Sequence, residues 1–293
     1  MDINYELYKV FYHVATTLSF SEASKQLFIS QSAVSQSIKS LEKKLEQILF
    51  IRSTKKVQLT PEGEILLRHI EPAMNLIRRG ESQIMEASST GGQIRIGASD
   101  TICRYFLVSY LERFHRDFPH IHIKVTNATS IGCVELLDSG EVDIIVVNSP
   151  NSHLGARNHI RKIQTFKDVF IANHDFAKLK DERLSLQELL SYPLLMLDRA
   201  STTSEFLHQL FQQHQLDLVP AIELSSNDLL IDLARIGLGI AFIPDYCLSH
   251  LDNLFIVETK ESLPERELVL SYNEHIPMTN AIESFLAYFD DVN

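Results

Sequence analysis

Cysteine is scarce in this 293-residue chain: Cys103, Cys133 and Cys247 lie far apart, with no CxxC spacing. That count argues against a disulfide framework and a zinc ribbon, and leaves small buried hydrophobes in a reducing compartment as the expectation. Long apolar runs are missing too. The longest uncharged apolar stretch, Ile236 to Pro244, is far too short to cross a bilayer. The opening segment MDINYELYKVFYHV carries charge throughout, so no secretory signal, no membrane partner and a cytoplasmic location are expected. No internal repeat and no low-complexity segment is visible. What is present is a globular composition, 45% apolar, in a chain long enough for two or three domains.

Formal net charge is −11, which taken alone counts against nucleic-acid binding. Its distribution reverses that inference. Residues 91–293 hold 16 basic and 28 acidic side chains, whereas residues 1–90 hold 11 and 10. Within 25–56 seven basic residues (Lys25, Lys39, Lys43, Lys44, Arg52, Lys55, Lys56) face two acidic ones (Glu42, Glu46). A local basic patch binds phosphates while an acidic body suppresses non-specific adhesion.

The head reads as helices. Leu7, Val10, Phe11 and Val14 mark an apolar face over 5–18; Ser21 is expected to cap a short helix through Leu27, and Phe28-Ile29 to turn. Ser30 is expected to cap the next helix, whose buried face carries Val34, Ile38, Leu41 and Leu45 and whose free face carries Gln31, Ser32, Ser35, Gln36, Lys39 and Lys43. Arg52 to Leu59 alternates around a polar tip, as a hairpin would. Helix, helix, turn, helix and basic hairpin make a winged helix-turn-helix over residues 1–60.

Thr60-Pro61 is a strong helix start, and a pattern runs from there to about Ala87. Leu66, Ile70, Ala73, Ile77, Gly80 and Ile84 alternate by four and three, a heptad seam expected to pair with a second copy. The competing reading is that the stripe packs on its own domain. Pro72 should bend this helix, and Ser88 to Gly92 reads as a hinge. The linker helix is therefore 61–88.

Beyond Gly92, strands and helices alternate: strands at 94–97, 120–126, 143–147, 194–197, 221–224, 240–243 and 268–272; helices at 104–116, 131–137, 205–214, 229–236 and from about Met278. This predicts a mostly parallel α/β sheet covered on both faces, in two lobes, with ligands beyond the strand C-termini. The candidate ligand groups follow strands: Ser99, Asp100 and Thr101; Thr129 and Ser130; Asn148 and Ser149; Ser201, Thr202, Thr203 and Ser204; Ser226 and Asn227. Hydroxyls at helix starts favour an anion, often a carboxylate. Serine and threonine are also the default caps of any helix, so capping alone is the competing reading. Arg104 and Arg199 lie near these loops, as carboxylate partners or as surface charges.

The motifs Phe11, Val14-Ala15, Ser19-Phe20-Ser21-Glu22-Ala23, Leu27, Ser30-Gln31-Ser32-Ala33-Val34-Ser35, Ile38, Leu41-Glu42, Leu49-Phe50, Arg52 and Leu59-Thr60-Pro61-Glu62-Gly63 resemble the LysR-type transcriptional regulators. In the body, Ile94 to Gly97, Phe118-Pro119, Gly140 to Ile144 and Gly237 to Pro244 fall in that family's order. Glu46, Leu18 and Ser24 depart from the pattern, where glycine, glycine and alanine are usual; a left-handed cap at Glu46 would cost about 1 kcal/mol.

The resemblance implies a long linker helix and a two-lobed, periplasmic-binding-protein-like effector domain over 89–293. It divides that domain into lobe I at about 91–162 plus 267–293 and lobe II at about 163–266. It also implies an operator with dyad symmetry, a homodimer or homotetramer, RNA polymerase as a partner, and an inducer cleft lined by the loops named above. A major-groove helix supports the same roles: Gln31 reads adenine, Ser32 and Ser35 read at short range, Lys39 reaches guanine or backbone, Ser30 and the helix N-terminus meet phosphate, and Arg52, Lys55 and Lys56 hold the neighbouring backbone. Peroxide-sensing relatives carry a mid-body cysteine pair, and residues 199–208 contain none.

The rival classes are an enzyme or a plain small-molecule-binding protein on a bilobal scaffold. No Ser-His-Asp order, nucleophile elbow or paired carboxylates support an enzyme, and the basic head would go unexplained. His120 and His122 lack further ligands at metal spacing, and Gly237-Leu238-Gly239 precedes a strand instead of opening a helix. Neither metal nor cofactor is expected.

Overall fold

The computed structural model describes residues 3–52, 56–86, 92–156, 158–250 and 253–290. The chain divides into two compact units, Met1–Ser88 with Ser139–Glu141, and Ser89–Asp138 with Val142–Asn293.

In the first unit, helix α1 (Tyr5–Thr17) is capped by Asn4 and buries Val10, Phe11, Val14 and Ala15. Helix α2 (Phe20–Leu27) is capped by Ser19, which accepts from Glu22 N at 3.1 Å. Ser21, the expected cap, lies inside the first turn. Phe20 is buried against Phe50, and that anchor starts the helix earlier. Ser30 caps α3 (Gln31–Leu45), accepting from Ala33 N at 3.2 Å, and Val34, Ile38 and Leu41 are fully buried. The helix ends on Glu46 with φ 54°, so this non-glycine residue does carry the left-handed strain of about 1 kcal/mol. Leu18 and Phe28 end α1 and α2 the same way.

Strands β1 (Phe50–Arg52) and β2 (Val57–Leu59) pair antiparallel, Phe50 opposite Leu59. The wing tip, Ser53, Thr54 and Lys55, lies outside the described residues. Helix α4 (Pro61–Glu86) runs through Pro72. Its start is doubly tied, since Thr60 Oγ1 accepts from Gly63 N at 3.0 Å and donates to the Ile48 carbonyl at 2.7 Å. Of the expected hinge, Ser88 to Gly92, all but Gly92 lies outside the described residues.

The seam along α4 is divided. Leu66 and Ile70 are half-buried against the head's own core, beside Leu67, so the reading of the whole stripe as a free pairing face is corrected there. The cause is angular: the first turns of α4 also close the core beneath α1 and the wing. Beyond them Ala73, Ile77 and Ile84 are exposed, Ile77 at 56% and Ile84 at 75%.

The second unit holds a ten-stranded sheet. Strands β3 (Gln93–Ala98), β4 (His122–Asn127) and β5 (Ile144–Ser149) are mutually parallel in the order β4-β3-β5. Between β3 and β4 the chain runs helically from α5 (Asp100–Ile102) through a π turn (Cys103–Leu107) into α6 (Val108–Asp117). Helix α7 (Ser130–Asp138) joins β4 to β5. The helix expected from Arg104 thus begins at Asp100, because Ser99 caps it.

The sheet is mixed, which corrects the mostly parallel reading. Strand β6 (Asn158–Asn173) pairs antiparallel with β12 (Glu265–Asn273) over its first ten residues, then with β10 (Ile240–Pro244) and β11 (Leu254–Thr259) over its last. β12 also pairs antiparallel with β5. These two strands join the halves of the unit. The second half adds β7 (Arg183–Leu184), α8 (Leu186–Leu189), β8 (Leu194–Leu197), α9 (Thr202–Gln213), β9 (Ile222–Leu224) and α10 (Asn227–Arg235), with β8 parallel to β9 and β10; α11 (Asn280–Ala287) returns to the first half.

Period-two burial explains the layers. Ile144 and Val146 enter one core with Phe114 and Phe285, while Ile145 and Val147 enter another with Cys133 and Leu137. Likewise Leu194 and Met196 face Phe211, and Leu195 and Leu197 face Ile231. Strands apolar on both faces must be covered on both, which α/β layering supplies.

Candidate functional site

In the head, the buried side of α3 leaves a polar side outward. Gln31, Ser32, Gln36 and Lys39 are exposed and Ser35 is half-buried. Ser30 Oγ serves as the cap and lies 2.9 Å from Ser32 Oγ. Lys56 is exposed at the far side of the wing; the Arg52 side chain and Lys55 lie outside the described residues. Sequence reasoning assigned no role to Glu42. Its Oε1 accepts from Leu49 N at 2.9 Å and Phe50 N at 3.3 Å, fastening the end of α3 to the start of the wing.

In the second unit, Ser99, Thr101, Thr129, Ser130, Asn148, Ser201, Thr202, Thr203, Ser226 and Asn227 line a single cavity of about 450 Å³. They were singled out from five separate stretches of sequence, and the strand ends bring them together. Asn148 sits within β5, at its C-terminal end, and not in the loop beyond it. Asn127, Ala128, Leu197, Ser225 and Tyr246 complete the walls, with two carboxylates, Asp100 and Asp198. Neither Arg104 nor Arg199 lines it. Arg104 is held instead by Asp228, at 3.0 Å, and Arg199 is exposed.

The hydroxyls share a hydrogen-bond logic. Ser99, Thr129, Ser201 and Ser226 cap the helical segments that start at the cavity, their oxygens accepting from Ile102 N, Gly132 N, Thr203 N and Leu229 N. Thr101 Oγ1 accepts from Asn227 Nδ2 at 3.0 Å, and Ser130 Oγ from Asn148 N at 3.1 Å. Thr202 and Thr203 oxygens accept from Arg266 at 3.3 and 3.0 Å. A hydroxyl whose oxygen is engaged still carries its own hydrogen. Capping and cavity-lining therefore coexist: the hydroxyls offer donors without lysine or arginine and four helix N-termini converge on the cavity, while Asp100 and Asp198 on the same wall repel an anion that approaches them. Buried Asn148 Oδ1 and Asn227 Oδ1 have no partner among the described residues.

Arg266 was missed by sequence reasoning, and so was the carboxylate beneath it, Asp168, 2.8 Å from Nη1. Burial holds the Asp168 carboxyl above its ordinary pKa, against the pull of Arg266. Cys103 is not poised for redox chemistry. Burial, with Asp100 adding, pushes its thiol up to about 11. Among the described residues no cluster of three His, Cys, Asp or Glu could hold a metal ion, and no helix is long and apolar enough to cross a membrane.

Two family models match the chain: "LysR substrate binding domain" over residues 87–293 and "Bacterial regulatory helix-turn-helix protein, lysR family" over residues 5–64. The transcriptional activator CmpR of Synechocystis sp. is 26% identical over 285 residues, covering 96% of this chain and 93% of its own. Full-length CbnR, solved with its target DNA, shares the fold at TM-score 0.69 and 16% identity, covering 99% of this chain and all of that one. The CcmR regulatory domain of Synechocystis, solved with 2-PG, matches at TM-score 0.62 and 20% identity over 68% of this chain and 95% of its own.

Proposed function

The chain belongs to the LysR family of bacterial transcription regulators, and we propose that paired heads read a dyad-symmetric operator while a small organic acid in the 450 Å³ cavity modulates that binding. The observation that carries the reading is the convergence of ten hydroxyl and amide residues and four helix N-termini on one cavity. Hydroxyl donors grouped at helix N-termini suit carboxylate or phosphate oxygens. CcmR, which shares the fold, is solved with 2-PG, and a small acid in this cavity is the counterpart proposed here.

In this reading residues 1–60 bind DNA, 61–88 pair two chains, and 89–293 sense the effector with the two lobes divided near 162 and 266. Gln31, Ser32, Ser35, Gln36 and Lys39 face bases; Ser30, Arg52, Lys55 and Lys56 hold phosphates. One head buries too little surface for high specificity, so at least a dimer is required, with a tetramer as its extension. The protein works in the cytoplasm, beside RNA polymerase, and catalyses no reaction. The acid acts only through a difference in affinity between two arrangements of the lobes.

Gel-shift of the full-length protein on DNA upstream of its own gene, with and without a panel of small organic acids, tests this. Retardation at low ionic strength, changed by at least one acid, is expected. No retardation of any duplex overturns the DNA-binding reading, and retardation indifferent to every acid overturns the effector.

A further inference from the structure

Arg266 lies in β12 with 1% of its surface exposed. Burying a guanidinium costs several kcal/mol unless its arms are met. The usual solution is a two-armed pair with one carboxylate. Here a single arm reaches Asp168, Nη1 to Oδ2 at 2.8 Å, and Asp168 Oδ1 and Arg266 Nε have no partner among the described residues. The remaining bonds go to the cavity wall. Nη1 also donates to Thr203 Oγ1 at 3.0 Å, and Nη2 donates to Thr202 Oγ1 at 3.3 Å. Phe166 and Phe206 lie 5.3 and 5.0 Å from the guanidinium carbon and hold it against the start of α9.

A guanidinium has donors and no acceptor. Both threonine oxygens must therefore accept from it, which turns each hydroxyl hydrogen away. Neither hydroxyl donates to an acceptor among the described residues, and both residues line the cavity. We propose that Arg266 is a positioning residue that makes the start of α9 a two-point donor for one oxyanion of the effector, selecting acceptor oxygens over donor groups at that wall. The inference rests on the reading of this cavity as the effector site. Without these two bonds the Thr202 and Thr203 hydroxyls would be free to rotate, accepting from a donor as readily as donating to an acceptor.

The test uses full-length protein carrying ¹³C-methyl threonine, titrated with acetate and inorganic phosphate as acceptors and methylammonium as a donor. Acetate and phosphate are expected to move the Thr202 and Thr203 methyl signals saturably, and methylammonium to leave them in place. Thr203→Val should weaken acetate about tenfold, as one lost bond to a charged group would, while Thr203→Ser restores it. Arg266→Lys, which retains the charge and loses the second arm, should cut the preference for acetate over methylammonium about tenfold. Equal shifts with methylammonium, or unchanged acetate binding in Thr203→Val, would overturn the role of Arg266. Acetate shifts at Thr101 and Thr129 alone would also overturn it, while leaving the cavity as the effector site. No shift at any of the four threonines with any probe would remove both.

Discussion

Thr101 accepts a 3.0 Å hydrogen bond from Asn227, and these two buried residues belong to opposite halves of the effector unit. The next residue, Asp228, takes Arg104 Nη1 at 3.0 Å and Tyr105 Oη at 2.6 Å. Burial, then the Asp228 bond, push the Tyr105 phenol far above its ordinary pKa, so it stays a donor at any physiological pH. One side of the cavity is thus latched by two consecutive residues of α10. The exposed Arg104 pair is screened by solvent and adds little, whereas the tyrosine bond to a carboxylate contributes about 1.5–3 kcal/mol. Asp228→Ala should lower the melting temperature of the effector unit by a few degrees and quicken amide exchange over 100–107 and 227–235, leaving 31–45 unchanged. Equal exchange in variant and parent would show that the latch carries no closure energy.

The division of α4 makes a sharper prediction about pairing. Leu66 is half-buried in the head's own core, whereas Ile77 and Ile84 are exposed on the same helix. Leu66→Asp should therefore unfold the head, a result that says nothing of pairing. Ile77→Asp with Ile84→Asp should yield a monomer by sedimentation while the thermal transition of the head stays within about 0.5 kcal/mol of the parent. A stable dimer of that double variant would remove the seam.

The head was the most legible part of the sequence, because each of its helices shows one clean apolar face and a cap. Its misplaced cap, Ser21 for Ser19, came from two serines flanking Phe20, which only the packing of Phe20 against Phe50 separates. In the body, strands such as Leu194–Leu197 read correctly because they are apolar throughout. Strand β6 was not read: its first half, from Asn158, carries His159, Arg161 and Lys162 where it meets β12 near solvent, so no continuous apolar run marks it. The cavity hydroxyls were legible since each follows a strand. Arg266 had a faint signal, an arginine in the same parity as the buried Leu268 and Leu270. Its bonds to α9 span some 60 residues of sequence, and no local pattern encodes them.

Gly63 belongs to the motif that ties α4 to the head, and its reason is contact. A Cβ there would lie 2.3 Å from the Leu49 carbonyl oxygen and 2.9 Å from Leu59. The carbonyl cannot move without breaking its bond from Thr60 N at 3.0 Å. Gly63→Ala should destabilise the head by about 1–3 kcal/mol, read as a lower first transition by calorimetry with the effector unit's transition unmoved. An unshifted first transition would mean that the wing and α4 separate at no cost.

Cys103 sits beside the cavity, yet its thiol is raised to about 11. At pH 8 about a thousandth of it is thiolate. Native protein should react with iodoacetamide at Cys103 much more slowly than a model thiol, gaining rate as pH climbs toward 11, and low peroxide should leave operator binding unchanged. Rapid labelling at pH 7 would reverse this.

On α3 the exposed polar face separates two kinds of contact that mutation can tell apart. Gln31 can make paired bonds to adenine, so Gln31→Ala should lose about 1–3 kcal/mol on the preferred operator and relax preference at one or two base pairs, with the salt slope retained. Lys55→Ala with Lys56→Ala on the wing should instead weaken every duplex alike and flatten the salt dependence by about one phosphate per contacting lysine. Gel-shift or fluorescence titrations at several salt concentrations, on operator and scrambled DNA, read both quantities at once. If the double lysine variant keeps the parent slope, the wing does not touch the backbone; if Gln31→Ala weakens operator and scrambled DNA equally, its role is positioning and sequence is read elsewhere on the helix.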